Sequence, residues 1–479
     1  MAHVSALTLV TRVSLIAASL LAAPLACPAQ ATQVAARPGG AALTLDGATR
    51  RDVIDTIGAA LTRHYVDADT GRLIADRLQA RLTAGAFEGI TDPYRFAEVV
   101  TTELRVINGD KHLLVVYDAT SQPGMRIGAE GIRMFGPPPG ARGRAAGRPG
   151  RRPPSPEMVA NARRQHFGLA RLDIMPGNVG YLDIRGFANG PEVEAAVVNA
   201  LEYLQFADAI IFDLRRNGGG SAETVNFIIS HFTGADTLPS LTVSNRSGGE
   251  KFTRYTLAKV PGPRRPKVPL YVLTSGFTAS AGEDFAFVLK NLGRATVIGA
   301  PSAGAGHNNA MVASGHGFAT SISFTRVMDP KTGAEWERVG VQPNVVVNPA
   351  QALEAAHALA LTAIADATTD ADWKQELTLT REVVEAQRAG RAVPGDLLAD
   401  APGNYDGGRS VVAQNGKLLY SRREGAQGEE LVPLADGSFG VGAARIAFER
   451  EGGRVVRVRV TQPNGSTLTY PRTVGTGGT

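Results

Sequence analysis

Residues 267–309 read KVPLYVLTSGFTASAGEDFAFVLKNLGRATVIGAPSAGAGHNN. The apolar run Val268 to Thr274 has the length and composition of a buried strand. A turn of small residues, Ser275-Gly276-Phe277-Thr278-Ala279, hands over to a helix starting at Ser280. That helix carries Phe285, Val288, Leu289 and Leu292 at i, i+3, i+4 and i+7. A second strand, Ala295 to Ile298, leads into the glycine-rich loop Gly299–His307. Ser280 thus stands at a strand–turn–helix junction, where free helix N–H groups can stabilise a forming oxyanion. It is a candidate nucleophile. Ser280 and Glu283 also fit a capping box, and the motif alone leaves both roles open.

The preceding segments repeat the strand–helix alternation. Gly177 to Ile184 reads as a strand, Pro191 to Phe206 as an amphipathic helix and Ala209 to Phe212 as a short apolar strand. The loop Asp213-Leu214-Arg215-Arg216-Asn217-Gly218-Gly219-Gly220 follows, then a helix through Val225, Phe227, Ile228 and Phe232. This order predicts an α/β core with largely parallel strands. Ligands gather beyond the carboxyl ends of such strands, where 217–220 and 274–280 both fall. Three successive glycines let a backbone approach a substrate and present N–H groups to it. A phosphate cradle would use the same physics, but no lysine–hydroxyl pair follows and no G-x-G-x-x-G opens the helix. Asp213 and Arg215 are expected to anchor the loop as an ion pair.

Upstream, Val53, Ile54, Ile57, Leu61 and Tyr65 share one helical face. Leu73, Ile74, Leu78 and Leu82 make a second stripe ended by Gly85. Thr91-Asp92-Pro93 opens a third helix carrying Phe96, Val99, Val100, Leu104 and Ile107. An N-terminal helical domain, 46–117, is the expectation. It ends in Asn108-Gly109-Asp110-Lys111-His112, which runs into the strand-like Leu113–Tyr117 and sets His112 at a turn-to-strand junction. Residues 118–166 form a Pro/Gly/Arg-rich insertion that cannot build a core and should be flexible. The α/β core is placed at 167–389, with β-structure after the glycine loop and closing helices near 350–366 and 371–389. A linker at 390–402 precedes a small antiparallel β-domain, 403–473, whose short strands alternate with Asn415-Gly416, Asp436-Gly437, Gly452-Gly453 and Asn464-Gly465 turns.

The 479 residues carry a formal charge of +5, yet Arg126 to Arg164 holds nine arginines against Glu130 and Glu157. The basicity therefore belongs to one segment, and the rest of the chain is net acidic. With a single aromatic, Phe135, among the nine arginines, base stacking has little support; that segment reads as a solvated insertion, and no nucleic-acid partner is expected. Residues 1–31, with Arg12 before the apolar Val13–Ala26 and a small-residue site at Ala29-Gln30-Ala31, read as a secretory signal peptide. An exported protein, periplasmic or extracellular, is expected. The single cysteine, Cys27, lies within that segment, and its proline-rich surroundings fit lipid attachment poorly. Cleavage after Ala31 leaves neither a disulfide nor a thiol nucleophile. No further stretch is apolar and long enough to span a membrane. The remaining histidines (His64, His112, His166, His231, His307, His316 and His357) form no paired helical motif with a glutamate. No metal and no cofactor are expected.

Several motifs in fixed order resemble the tail-specific (C-terminal-processing) serine peptidases. They are the T-A-S-A-x-E-D turn–helix, the D-L-R-x-N-x-G-G loop and the strand–Gly loop after the helix. The D-K-H-L junction, the G-N-V-G-Y-L-D-I-R-x-F strand and the W-E-x-x-G-V-x-P segment are similar to the branch of interphotoreceptor retinoid-binding protein and the tricorn core protease. The resemblance covers about 46–366. It implies a ClpP/crotonase-like α/β peptidase core with Ser280 as nucleophile. The lysine base of the Ser–Lys branch would fall where this chain has Ala305. The tricorn-like branch instead implies His112 as base and Glu337 as its acidic partner, with Lys111 replacing an orienting serine. Backbone N–H groups of Gly219 (or Gly220) and Ala281 would form the oxyanion hole. The family's PDZ module has no counterpart; its usual place holds the insertion. His307, on the loop that would have carried the lysine, is the alternative base. The resemblance implies peptide or protein substrates. The retinoid-binding relatives supply the competing expectation, a non-catalytic carrier of apolar ligands.

Overall fold

The computed structural model describes residues 44–118, 156–246 and 251–473. The signal segment and most of the arginine-rich insertion lie outside them. The chain opens with three helices, α1 (Gly47–His64), α2 (Ala68–Thr83) and α3 (Pro93–Arg105). Each starts on an aspartate, Asp46, Asp67 or Asp92, whose carboxylate accepts first-turn N–H groups. The α1 stripe is fully buried, as its spacing requires, whereas Leu73 of α2 is 57% exposed and does not belong to the core face.

These helices share a core cluster that Phe318 and Ile322 from a distant strand complete. Strand β1 (Leu114–Tyr117) pairs antiparallel with a strand two hundred residues later, Leu114 opposite Ser321 and Tyr117 opposite Phe318. Phe96 packs edge-on against both Phe87 and Phe318, so the N-terminal core is closed by distant residues. After the insertion, 156–166 departs from the expected flexible run. It holds α4 (Pro156–Arg164), tied by Arg163 to Glu192. Then come β2 (Leu169–Met175), β3 (Val179–Ile184), α5 (Pro191–Tyr203), β4 (Ala209–Asp213), α6 (Ala222–Ser230), β5 (Pro239–Asn245) and β6 (Lys251–Tyr255). The central unit follows: β7 (Leu270–Thr274), α7 (Ala281–Asn291), β8 (Ala295–Gly299), β9 (Asn308–Gly315), β10 (Phe318–Met328) and β11 (Val345–Val346).

Two sheets result. The main sheet has the order β11-β8-β7-β4-β3-β2, parallel throughout except for the antiparallel edge strand β2. Strands β3, β4 and β7 are buried on both faces, which explains their unbroken apolar runs. One face packs α5, α6 and α7 through Phe212, Phe285 and Phe232. The other packs α8 (Ala352–Ala367), with Leu377 and Val384 of α9 (Ala371–Ala389). The second sheet joins β1, β10, β5 and β6, with β9 also on β10. The anticipated α/β class with largely parallel strands therefore holds. The segment expected to be a linker contains α10 (Gly395–Asp400). Beyond it lie a four-stranded and a five-stranded antiparallel sheet between Gly403 and Pro471.

Candidate active site

Ser280 precedes α7 with φ 53° and ψ −118°, a left-handed value for a non-glycine residue. Such a conformation costs about 1–3 kcal/mol and persists only where its surroundings enforce it. The local bonding does so. Glu283, wholly buried, accepts the Ser280 N–H on Oε2 at 2.8 Å. The same oxygen accepts the Ala305 N–H at 2.8 Å, while Oε1 accepts Ser302 Oγ at 2.6 Å and the Gly304 N–H at 2.5 Å. Burial pushes this carboxyl upward, and the four donors oppose that shift. Ser280 and Glu283 thus form the capping box that the sequence offers, with Glu283 taking the serine's N–H. Glu283 holds the turn in this conformation.

The glycine loop lies against this turn. Asn217, fully buried, donates Nδ2 to Ile184 O at 2.9 Å and accepts the Ala279 N–H on its backbone oxygen at 3.0 Å. A Cβ on Gly219 (φ 117°) would stand 2.9 Å from Ser280 Cβ, so only glycine lets the loop approach this closely. One assignment changes. The Gly219 N–H donates to Asn217 Oδ1 at 2.9 Å and is not a free oxyanion donor. Among the described residues the Gly220 N–H has no partner, and Ala281 opens the helix, ahead of its first intrahelical N–H bonds. Asp213 and Arg215 form the expected anchor, a bidentate pair at 2.9 and 2.6 Å, with Tyr181 Oη on Asp213 at 2.8 Å.

The histidines gather around Asp110, a residue the sequence motifs did not single out as functional. Its Oδ1 accepts the His112 backbone N–H at 2.9 Å. Its Oδ2 accepts Tyr65 Oη at 2.8 Å and faces His307 Nδ1 at 3.3 Å. Asn108 Nδ2 donates to Tyr65 Oη at 2.6 Å. Glu337 reaches the same cluster, accepting the N–H groups of Gly306 and His307 at 2.6 and 3.0 Å. Burial would raise the Asp110 carboxyl, but hydrogen bonds from His307 and Tyr65 and the His307 charge outweigh it and hold it at about 2. Burial raises Glu337, and the Asp110 carboxylate adds to that against the opposing pull of His307. Burial lowers the His112 imidazole; Asp110 opposes that, while His307 and Arg105 reinforce it. A depressed imidazole is neutral at pH 7, the state a general base requires.

Loop 299–307 joins the two halves. Lys111 Nζ donates to Ala303 O, Ala303 N–H to Thr278 O at 2.8 Å, and Gly304 and Ala305 to Glu283. Ala305 is buried, so the place of the Ser–Lys branch's base holds an inert methyl. No hydrogen bond joins Ser280 Oγ to His112 or His307 among the described residues, and His112 Nδ1 is buried without a partner. A cavity of 470 Å³ opens beside Gly219, lined by Gln165, Phe167, Arg185 and Phe187 among others.

A parallel α/β sheet carrying a strained serine at a helix start, with a buried histidine–carboxylate cluster tied to the same loop, is an architecture of the serine hydrolases. Residues 178–347 match the model of peptidase family S41, and residues 43–133 match that of the N-terminal domain of peptidase S41 in eukaryotic IRBP. The chain carries a peptidase S41 domain preceded by its N-terminal domain. It is 28% identical over 172 residues to the carboxy-terminal processing protease CtpB of Bacillus subtilis, covering 36% of this chain and 34% of that one. It is 30% identical over 177 residues to a carboxyl-terminal-processing protease of Synechocystis, covering 36% and 39%. The match thus spans little more than a third of each relative. Among solved structures, the photosystem II D1 C-terminal processing protease is similar at 18% identity and a TM-score of 0.35, covering 63% of this chain and 94% of that one.

Proposed function

We propose that this chain is an exported serine endopeptidase that cleaves peptide bonds through an acyl-enzyme on Ser280. The observation that carries the reading is the φ 53° strain at Ser280, at the start of the helix after a parallel strand and held there by Glu283. In this scheme Ser280 Oγ attacks the substrate carbonyl and His112 takes its proton. The oxyanion settles on the N–H groups of Gly220 and Ala281, a donor pair in which each member is worth about 3 kcal/mol. His112 then protonates the leaving amine, and water releases the acyl group by the reverse path. Glu337 polarises the histidine cluster. His112 must come within hydrogen-bond reach of Ser280 in the substrate complex, a tightening that catalytic pairs commonly undergo.

Export rests on the sequence of residues 1–31 alone, and peptide or protein substrates rest on the named proteases that the chain resembles. Among the described residues no helix is long and apolar enough to cross a membrane. The test is hydrolysis of a fluorogenic peptide mixture by the mature chain, with intact-mass detection of an acyl adduct lost in Ser280→Ala. Absence of hydrolysis, together with saturable binding of retinoid or fatty acid, would replace the peptidase with an apolar-ligand carrier.

A further inference from the structure

Asp110, His307 and Glu337 come from three distant segments, yet one donor atom from each lies within 4.8 Å of the others. His307 Nδ1 is 3.3 Å from Asp110 Oδ2 and 3.8 Å from Glu337 Oε2. Ligand atoms about 2.0–2.1 Å from a tetrahedral zinc ion stand about 3.3 Å apart, so the first spacing fits and the second needs a small closure. The three side chains are 0%, 9% and 8% exposed, so these are not surface acids that happen to be near one another.

Two further observations point to a cation. Among the described residues Glu337 Oε1 is buried with no hydrogen-bond partner, although its sister oxygen takes two backbone N–H groups. Two buried carboxylates also face a single imidazole, a charge set that a dication balances when the imidazole is neutral. The surroundings are those of an oriented ligand set. Tyr65 Oη fixes Asp110 at 2.8 Å and is itself fixed by Asn108, while backbone N–H groups fix Glu337.

We propose that Asp110, His307 and Glu337 form a binding site for a divalent transition-metal ion, zinc by ligand type, with water completing the coordination. One imidazole and two carboxylates match the nitrogen and oxygen ligands zinc accepts. The separation of positions 110, 307 and 337 explains why no ligand motif is visible in the sequence. Occupation would take Glu337 out of the histidine cluster, making the ion a reversible inhibitor. That consequence rests on the peptidase reading; the binding itself does not.

The experiment uses the mature chain stripped by a chelator. It is titrated with cobalt(II), read through the visible d–d bands of a low-symmetry site, and then with zinc against a chromophoric chelator. One equivalent of cobalt, displaced by zinc, is expected. Binding is lost in His307→Ala, falls about 10–100-fold in Tyr65→Phe through loss of ligand orientation, and is unchanged in His316→Ala, whose ring pairs with Asp52 at the surface. Circular dichroism checks the fold of each variant. No cobalt spectrum and no zinc retention in the wild type overturns the site without recourse to any variant. Unchanged binding in His307→Ala overturns it as well. Serine-directed labelling, followed with and without zinc, separates the two claims. Labelling that zinc suppresses supports the inhibitory role. Labelling indifferent to bound zinc overturns that role, and no labelling of the metal-free chain sinks the peptidase reading while the cobalt result still stands.

Discussion

Replacing Glu283 with glutamine changes one oxygen to an amide and nothing in size, which makes it a sharp probe of how Ser280 is held. The carboxylate accepts four hydrogen bonds, two on each oxygen, from Ser302, Gly304, Ser280 and Ala305. A glutamine keeps one oxygen. Its NH2 group faces either the Ser280 and Ala305 N–H groups or Ser302 and Gly304, and on the second side the Ser302 hydroxyl can turn to accept while the Gly304 N–H is left opposed. One hydrogen bond to a charged acceptor is lost outright and the other three become neutral ones, so the gross loss is about 3–6 kcal/mol. Relief from burying a charge offsets part of this, since burial alone pushes the Glu283 carboxyl upward. A net destabilisation of about 3 kcal/mol in urea denaturation at pH 7 is expected. Reactivity at Ser280 should fall under conditions where the variant is still folded, because the strained turn loses its clamp. A stability change below about 1 kcal/mol with undiminished serine reactivity would refute the reasoning.

In Gly220→Ala a Cβ would sit 2.2 Å from Phe187 O at φ 137°, and backbone cannot yield as a side chain can. At least about 2 kcal/mol of stability should be lost, with serine reactivity, and a thermal melt matching wild type would contradict the packing. The Asp213–Arg215 pair predicts a pH effect. Burial alone would raise Asp213, but the Arg215 fork and Tyr181 outweigh it and hold the carboxyl below its usual range. A depressed folded pKa gives stability that is present above the unfolded value, near 4, and lost as pH falls through the folded one. Arg215→Ala should therefore cost about 3 kcal/mol at pH 7 and distinctly less at pH 3, by urea midpoints; equal losses at both pH values would count against the pair.

The parts legible in the sequence are those written in neighbouring residues. The strand–turn–helix at Ser280 is local in sequence, and burial on both faces leaves its strands as plain apolar runs. The Asp213–Arg215 anchor spans two positions and could be anticipated. Asp110 could not, because its partners Tyr65 and His307 are 45 and 197 residues away and no periodicity links them. The only signal was the N-G-D turn itself. Which of Gly219 and Gly220 offers a free N–H could not be read either, because the Gly219 N–H is satisfied by the Asn217 side chain, a bond decided by loop geometry. Edge strand β2 escaped notice since Leu169–Met175 exposes most of its residues and lacks a clean alternation. The N-terminal helices are legible because each has its own apolar stripe, whereas the pairing of β1 with β10 joins segments too far apart for the sequence to show.

The central claim is that Ser280 is an activated nucleophile whose base is His112. Its most direct test is the inactivation rate with a fluorophosphonate, with the adduct located by mass spectrometry. The account predicts a single adduct on Ser280, absent in Ser280→Ala, slowed about 10³-fold or more in His112→Ala and largely retained in His307→Ala. An adduct elsewhere, none at all, or labelling kept in His112→Ala and lost in His307→Ala would contradict it.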